Sequence, residues 1–215
     1  MEGNNKFKLD PRLKNALEWI YCVIIAVILA LLVRFYIGTP TIVKQPSMHG
    51  TLEPGQRLIL SRLTRTFNGT YNRGDIVTFE APSETSISPY DVDINNPVAI
   101  YNNQPKGIFG KFVYYILELN KVSYIKRVIG LPGDHVKIED NKVYINGQVL
   151  DEPYLKPGVV TEGGTFRDFT VPDGYLFLMG DNREHSTDCR SFGCIPISKI
   201  ESKVYIRFWP LSTFR

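Results

Sequence analysis

A serine, a lysine and one polar loop are the parts of this 215-residue chain that could do chemistry together. Ser47 stands in VKQPSMHGTLEPGQRLIL, between a predicted strand and a turn. A serine hydroxyl is a weak nucleophile until a neighbouring base takes its proton. Three histidines are available. His49 is two residues from Ser47 and would share its face on a strand, but no third group stands by to orient it. His135 follows a Pro-Gly-Asp turn and His185 sits in a polar loop, so none has the setting of a Ser/His/Asp triad. Lysine serves instead if burial among apolar neighbours depresses its pKa and leaves it neutral. Lys126 is the candidate, because Val122, Tyr124, Val128 and Ile129 surround it in VSYIKRVIGLPGD, a run that reads as a strand. A charged lysine there would be costly unless paired. In MGDNREHSTDCRSFG, Asp, Asn, Arg and Ser crowd beside the apolar run GYLFL, which predicts a hydrogen-bonded loop. Asp188 and Arg190 could pair in it, and Ser186 could orient a lysine. Taken singly, each stretch also fits a plainer role: a surface hydroxyl, a lysine snorkelling from a sheet edge, a purely structural loop.

Other chemistries find little support. His185, Cys189 and Cys194 lack a fourth ligand and any familiar zinc spacing, so no metal and no other cofactor is expected. Cys22 lies in an apolar run, which leaves Cys189 and Cys194 as a possible disulfide pair that the sequence does not decide. The formal charge of +3 is mostly the N-terminal tail, where Lys6, Lys8, Arg12 and Lys14 outweigh Glu2 and Asp10. No basic stripe interleaved with aromatics follows, so nucleic acid is not an expected partner.

The elements that must position these residues fall into two parts. Residues 19–33 (WIYCVIIAVILALLV) form an uncharged run of 15 residues; letting Glu18 and Arg34 reach toward headgroups extends the helix to 16–37. Twenty-two residues at ~1.5 Å each cross a ~30 Å hydrocarbon core. Trp19 and Tyr21 at one end and Phe35 and Tyr36 at the other suit the interfaces. A basic region precedes the run but no small-x-small cleavage site follows it, so the expectation is an uncleaved signal anchor with a basic cytoplasmic tail over 1–15 and the rest of the chain outside the cell. Beyond residue 37, Gly and Pro punctuate short β-branched or aromatic runs (RLILS, DIVTF, VKIED, KVYING, GYLFLM, KVYIRFW), the pattern of an all-β domain. VKIEDNKVYINGQVL predicts a hairpin turning at Asn141 and Lys142, with a second tight turn at Asn146-Gly147.

Together these residues resemble the bacterial type I signal peptidase family, in its lysine-using prokaryotic branch. The resemblance covers the anchor and four segments in order: SMHGTL, GDIVTF over 74–79, YIKRVIGLPGD over 124–134 and GDNREHSTDCR over 180–190. It implies a mainly β fold, a signal-peptidase-like antiparallel β catalytic domain over 38–215 behind one transmembrane helix. An insert over about 81–120 and a β cap region over about 135–172 complete it. It implies a serine endopeptidase that removes signal peptides from secretory preproteins after small residues. Carried over, Ser47 is the nucleophile, Lys126 the general base and then acid, Ser186 the hydroxyl that positions the lysine, and Asp188 with Arg190 a supporting ion pair. The Ser47 N–H would supply part of the oxyanion hole. The segments 41–45 and 123–125 resemble the family's binding strands, which places Val43, Gln45, Tyr124 and Ile125 against substrate added as a β-strand. Three positions depart from the pattern: Gly50 stands where proline is usual, Gln45 where some members carry an oxyanion-donating serine, and Cys189 where serine is usual.

Two rival readings are weaker. A self-cleaving repressor of related fold would carry a DNA-binding N-terminus, which this apolar run is not; a non-catalytic accessory protein would be favoured by loss of Ser47 or Lys126, and both are present. The insert is distinctive. Residues 82–105 read as a polar loop, but 107–119 concentrate Phe109, Phe112, Tyr114, Tyr115, Ile116 and Leu117 near Lys106 and Lys111. Two placements stay open for it: packing against the β core, or lying in the membrane interface beside the anchor.

Overall fold

Asp10 and Pro11 set the start of the first helix in the computed structural model, which describes residues 10–87, 93, 96–102, 104–119 and 121–210. The Asp10 carboxylate accepts the Arg12 N–H at 2.9 Å, and Pro11 takes a first-turn position where its missing N–H costs nothing. Helix α1 therefore runs Pro11–Tyr36, starting earlier than residue 16 and stopping just before 37. Its 26 residues span roughly 39 Å, enough to cross a bilayer, and none of its side chains is buried against the rest of the protein.

The remainder is mainly β. Strands β1 (Gly38–Ile42), β2 (Arg57–Ser61), β3 (Ile76–Glu80) and β4 (Ser123–Gly130) lead into β5 (His135–Glu139), β6 (Lys142–Ile145), β7 (Gln148–Val149) and β8 (Asp168–Thr170). β9 (Tyr175–Met179), β10 (Ile195–Pro196) and β11 (Ile200–Trp209) complete the set. Short helices α2 (Leu63–Thr66), α3 (Gly107–Tyr115) and α4 (Cys189–Phe192) interrupt them. A curled seven-stranded sheet has the order β1-β2-β11-β3-β4-β9-β10, and a second sheet of four has the order β7-β6-β5-β8. Every strand pairing in both is antiparallel.

The expected hairpin forms, one residue earlier than its sequence suggests. Asp140 and Asn141 are the turn, at φ 49° and 60°, and Lys142 already pairs with Glu139. Two successive residues at positive φ match the right-handed twist of the strands they join, and Asp and Asn tolerate that conformation better than Lys. Asn146-Gly147, at φ 52° and 80°, makes the second turn as expected.

Two apolar clusters hold the fold. The larger joins both sheets through Val128, Phe177, Phe79 and Phe192 from one side and Val136, Ile138, Val143 and Phe169 from the other. The smaller, Val43, Met48, Leu52, Leu58 and Leu60, lies under the segment that carries Ser47. Cys189 and Cys194 are buried in the larger cluster as free thiols, not a disulfide. Burial pushes both thiols up, so neither is a reactive thiolate.

The insert joins this core through Ile87 and Ala99, in the stretch expected to be a polar loop, but its aromatic part does not. GIFGKFVYY folds as α3, and none of its residues is buried. Part of the polar loop before it lies outside the described residues.

The sheets pack tightly at Gly130, where the pairing of β4 with β9 shifts register. A Cβ there would sit 2.9 Å from Val171 Cγ2 and 3.0 Å from Phe177 Cβ and Val136 Cγ2. Gly130→Ala is expected to lower unfolding stability by about 1–3 kcal/mol, read as a lower thermal midpoint in detergent, because the core must open to admit the methyl group.

Candidate active site

Ser47 is placed by a proline. Gln45 is still extended, Pro46 opens a 3-10 turn over Pro46–Met48, and Ser47 is its middle residue, 5% exposed. Met48, fully buried beneath it, anchors the turn in the smaller apolar cluster. The backbone is fastened on both sides: Leu52 N–H donates to Met48 O at 2.8 Å, Asn182 N–H donates to Ser47 O at 3.0 Å, and the Asn182 side chain donates to Pro46 O at 3.0 Å. The leading N–H groups of such a turn have no acceptor within it, so those of Ser47 and Met48 are suited to an external oxygen. Gly50, where a proline was the expected residue, has φ +104° and donates its N–H to Glu53 Oε1 at 3.1 Å. Proline can adopt neither that φ nor that bond.

Lys126 lies at the middle of β4, opposite Val77 of β3, and is 2% exposed. The Pro46–Met48 turn packs directly against this strand. Burial lowers the Lys126 ammonium from its ordinary 10.5 to about 8, against the opposing pull of the Asp188 carboxylate. Lys126 Nζ lies 5.7 Å over the Tyr124 ring. The three histidines take other partners or none near the serine. His49 is exposed and bonds Glu53 at 2.5 Å, His135 bonds Asp168 at 2.8 Å, and His185 is on the surface.

Ser186 and Asp188 come from the loop after β9. Asp188 is fully buried and forms a two-pronged ion pair with Arg190, Nε to Oδ1 at 2.8 Å and Nη2 to Oδ2 at 2.9 Å, and also accepts the Gly180 N–H at 3.0 Å. Arg190 continues to the carbonyls of Arg183 and Glu162. Gly180 is the meeting point of the segments: a Cβ there would lie 2.5 Å from Ser47 O and 2.6 Å from Ser186 Cβ, and would collide with Ser186 Oγ. Neither Ser47 Oγ nor Ser186 Oγ has a hydrogen-bond partner among the described residues. Leaving one buried hydroxyl unpaired costs about 1–3 kcal/mol, so two in one place beside a buried lysine mark a functional site.

A groove of about 510 Å³ is lined by Val43, Gln45, Tyr124 and Ile125, all four residues expected to bind substrate. Residues 123–126 pair with β3 on one edge only, since β9 joins β4 from Arg127 onward. β1 is the edge strand of its sheet. The curl of the sheet sets these two edges across one groove.

Sequence reasoning missed a second buried network. Arg127 donates to both oxygens of Asp181, at 2.9 and 2.6 Å, and Asp181 also accepts Thr51 Oγ1 at 2.5 Å. The Arg127 guanidinium stacks 3.8 Å from the Tyr154 ring. Arg183 pairs with Glu152 and donates to Thr161 at 2.7 Å. Thr51, Arg127 and Asp181 all fall inside the segments SMHGTL, YIKRVIGLPGD and GDNREHSTDCR, and the opposite charges of Arg127 and Asp181 beside apolar runs were the available signal.

The family model described as "Signal peptidase, peptidase S26" matches residues 16–209. The chain belongs to that family. Relatives include a signal peptidase I of Bacillus licheniformis, 33% identical over 211 residues and 94% of each chain, and signal peptidase I S of Bacillus subtilis, 32% identical over 211 residues and 94% of each. A crystal structure of a signal peptidase I from Enterococcus faecalis aligns with 63% of this chain and 97% of its own at 26% identity, with a TM-score of 0.39. In a peptidase of this family the buried lysine is a stability cost. The lowering from 10.5 to about 8 corresponds to ~3 kcal/mol against folding. The cost is full below about pH 8, where the folded lysine must be protonated, and fades as pH rises toward 10.5, where the unfolded lysine also loses its proton. Lys126→Met is therefore expected to unfold at a higher temperature than the parent near neutral pH, with the gap closing in alkaline buffer; a gap independent of pH counts against a buried, proton-releasing lysine.

Proposed function

We propose that this chain is a membrane-anchored signal peptidase I that removes signal peptides from secretory preproteins, using Ser47 and Lys126 as a catalytic dyad. One observation carries the reading. Lys126 is buried with its pKa lowered to about 8, in a site where the hydroxyls of Ser47 and Ser186 are buried and unpaired.

The substrate enters as a strand between residues 41–45 and 123–126, its backbone bonding to both edges and its side chains facing Val43, Tyr124 and Ile125, so the groove holds many sequences and rejects bulky residues by sterics. Neutral Lys126 Nζ takes the Ser47 proton as Oγ bonds to the scissile carbonyl carbon. The resulting oxyanion is received by the backbone N–H of Ser47; Pro46 has none to give and Gln45 faces the groove. As the tetrahedral intermediate collapses, the C–N bond breaks and the Lys126 ammonium returns its proton to the leaving amine. Water then attacks the acyl-Ser47 ester, again losing its proton to Lys126, which restores the free serine. Ser186 directs the lysine, and Arg190 holds Asp188 so that its carboxylate does not trap the ammonium form.

The basic flank of α1 stays in the cytoplasm, which places the β domain on the outer face, where signal peptides emerge.

Against a purified preprotein, Ser47→Ala, Lys126→Ala and Lys126→Arg are each expected to reduce kcat/KM by ~10²–10⁴-fold, since arginine keeps the charge but does not deprotonate. The parent rate should rise with pH and level off above about 8. A chelator should leave it unchanged. Near-normal turnover by Lys126→Arg overturns the assignment of the base. In intact cells, added protease should digest the β domain and spare the tail; a protected domain with a cut tail reverses the orientation.

A further inference from the structure

Helix α3 leaves its most apolar face in the open. Ile108, Phe109 and Phe112 are 92%, 79% and 45% exposed, and their spacing of i, i+1 and i+4 puts them on one face. The C-terminal turn of the helix is fastened to the domain by the polar ends of tyrosines. Tyr114 Oη donates to Glu80 Oε1 at 3.2 Å, Tyr115 Oη donates to Gln104 Oε1 at 2.8 Å, and Lys121 Nζ sits 5.5 and 5.3 Å over the two rings. The helix is thus held in one orientation that presents the three apolar residues outward. Lys106 and Lys111, both exposed, flank them.

The position of α3 says what that face meets. Three residues past Tyr115, Glu118 accepts Arg34 Nη2 at 2.8 Å and also pairs with Arg62. Arg34 is the basic residue in the last turn of α1, where the apolar helix ends. Three residues of chain reach at most roughly 11 Å, so α3 ends beside the point at which α1 leaves the bilayer. The same exit is gripped from α2, with Arg65 Nη2 donating to Phe35 O at 2.8 Å and Thr66 Oγ1 to Tyr36 O at 2.7 Å, and Phe67 just beyond is 76% exposed.

We propose that α3 is a second membrane contact: its Ile108, Phe109 and Phe112 face enters the lipid interface beside α1, with Lys106 and Lys111 at the level of anionic headgroups. Aromatic and aliphatic side chains with flanking lysines are the combination this boundary favours. The contact fixes the height and tilt of the β domain, which a single helix leaves free to swing. The proposal rests on α1 being in the bilayer and is independent of the catalytic assignment.

The test uses the full chain in phosphatidylcholine vesicles containing phosphatidylglycerol, with an environment-sensitive fluorophore on one cysteine at a time. Cys22 labels the anchor itself; Ile108→Cys and Asn141→Cys, each combined with Cys22→Ser, label α3 and the β5–β6 turn, while Cys189 and Cys194 are buried. The α3 label is expected to be quenched several-fold by lipids carrying a shallow quencher and shielded from aqueous iodide, and the Asn141→Cys label to show the reverse. An α3 label open to iodide and untouched by lipid quenchers overturns the proposal. So does one that responds to neither, which means that protein covers the face. A Cys22 label that lipids do not quench removes the anchor and the proposal together, and none of these readings depends on turnover. As a second arm, Phe109→Ser with Phe112→Ser should slow preprotein processing in vesicles several-fold while leaving the thermal midpoint and cleavage of a short soluble peptide unchanged. Equal loss on both substrates would mean that α3 acts through the fold.

Discussion

Burying one lysine so that it gives up its proton more easily constrains most of what surrounds Lys126. Desolvation alone would lower its pKa, but a carboxylate within reach would restore the charge and lock the amine into an ion pair. Asp188 is such a carboxylate, and it is the strongest influence pulling the Lys126 pKa back up. Its charge is spent elsewhere: Arg190 takes both oxygens and the Gly180 N–H occupies one again. Arg190 also lowers the lysine directly. The Asp188–Arg190 pair therefore does two things at once. It shapes the loop that carries Ser186, and it lets an acidic residue stand near Lys126 while the lysine pKa stays lowered.

The same logic governs the Arg127–Asp181 pair. Arg127 is the next residue after Lys126 and points to the other face of β4, as strand alternation requires. There it bonds Asp181 and the Thr51 hydroxyl, which belongs to the turn after Ser47. One buried guanidinium thus cross-links β4, the segment that carries Ser47 and the loop after β9. Breaking such a pair from one side leaves a buried charge without compensation, so the placement of each of the three segments depends on the other two.

A third set of ionic contacts fastens the domain to its anchor. Glu118 bridges Arg34 at the end of α1 and Arg62 before α2, while Arg65 and Thr66 bond the last carbonyls of α1. Those carbonyls have no acceptor role within the helix and would otherwise require water. These contacts come from α2 and from the stretch after α3, and both pieces of chain carry large exposed apolar side chains, Phe67 beside α2 and Leu119 after α3.

Much of this was legible in one dimension. The apolar run of α1, the Gly and Pro punctuation of short strands, and the two tight turns are local signals, set by hydrophobic period and by φ preferences that act within a few residues. Ser47 and Lys126 were different: each stretch alone fits a surface hydroxyl or a snorkelling lysine, and they stood out through their company along the chain and the resemblance of four ordered segments to one family. The hairpin turn slipped by one residue because Asp140 and Asn141 both accept positive φ, which the polarity pattern does not distinguish from Asn141 and Lys142. Other features had no local signature. Whether Lys126 is 2% exposed or snorkels to water depends on how the sheet curls, and whether Cys189 and Cys194 pair depends on where α4 and β10 settle in the core. The composition of 107–119 fits a core helix and an interfacial one equally. Only the tertiary structure shows that α3 stays out of the core, because Tyr114, Tyr115 and Glu118 find partners on β3, in the preceding loop and at the end of α1, contacts between residues far apart in the chain that no local propensity encodes.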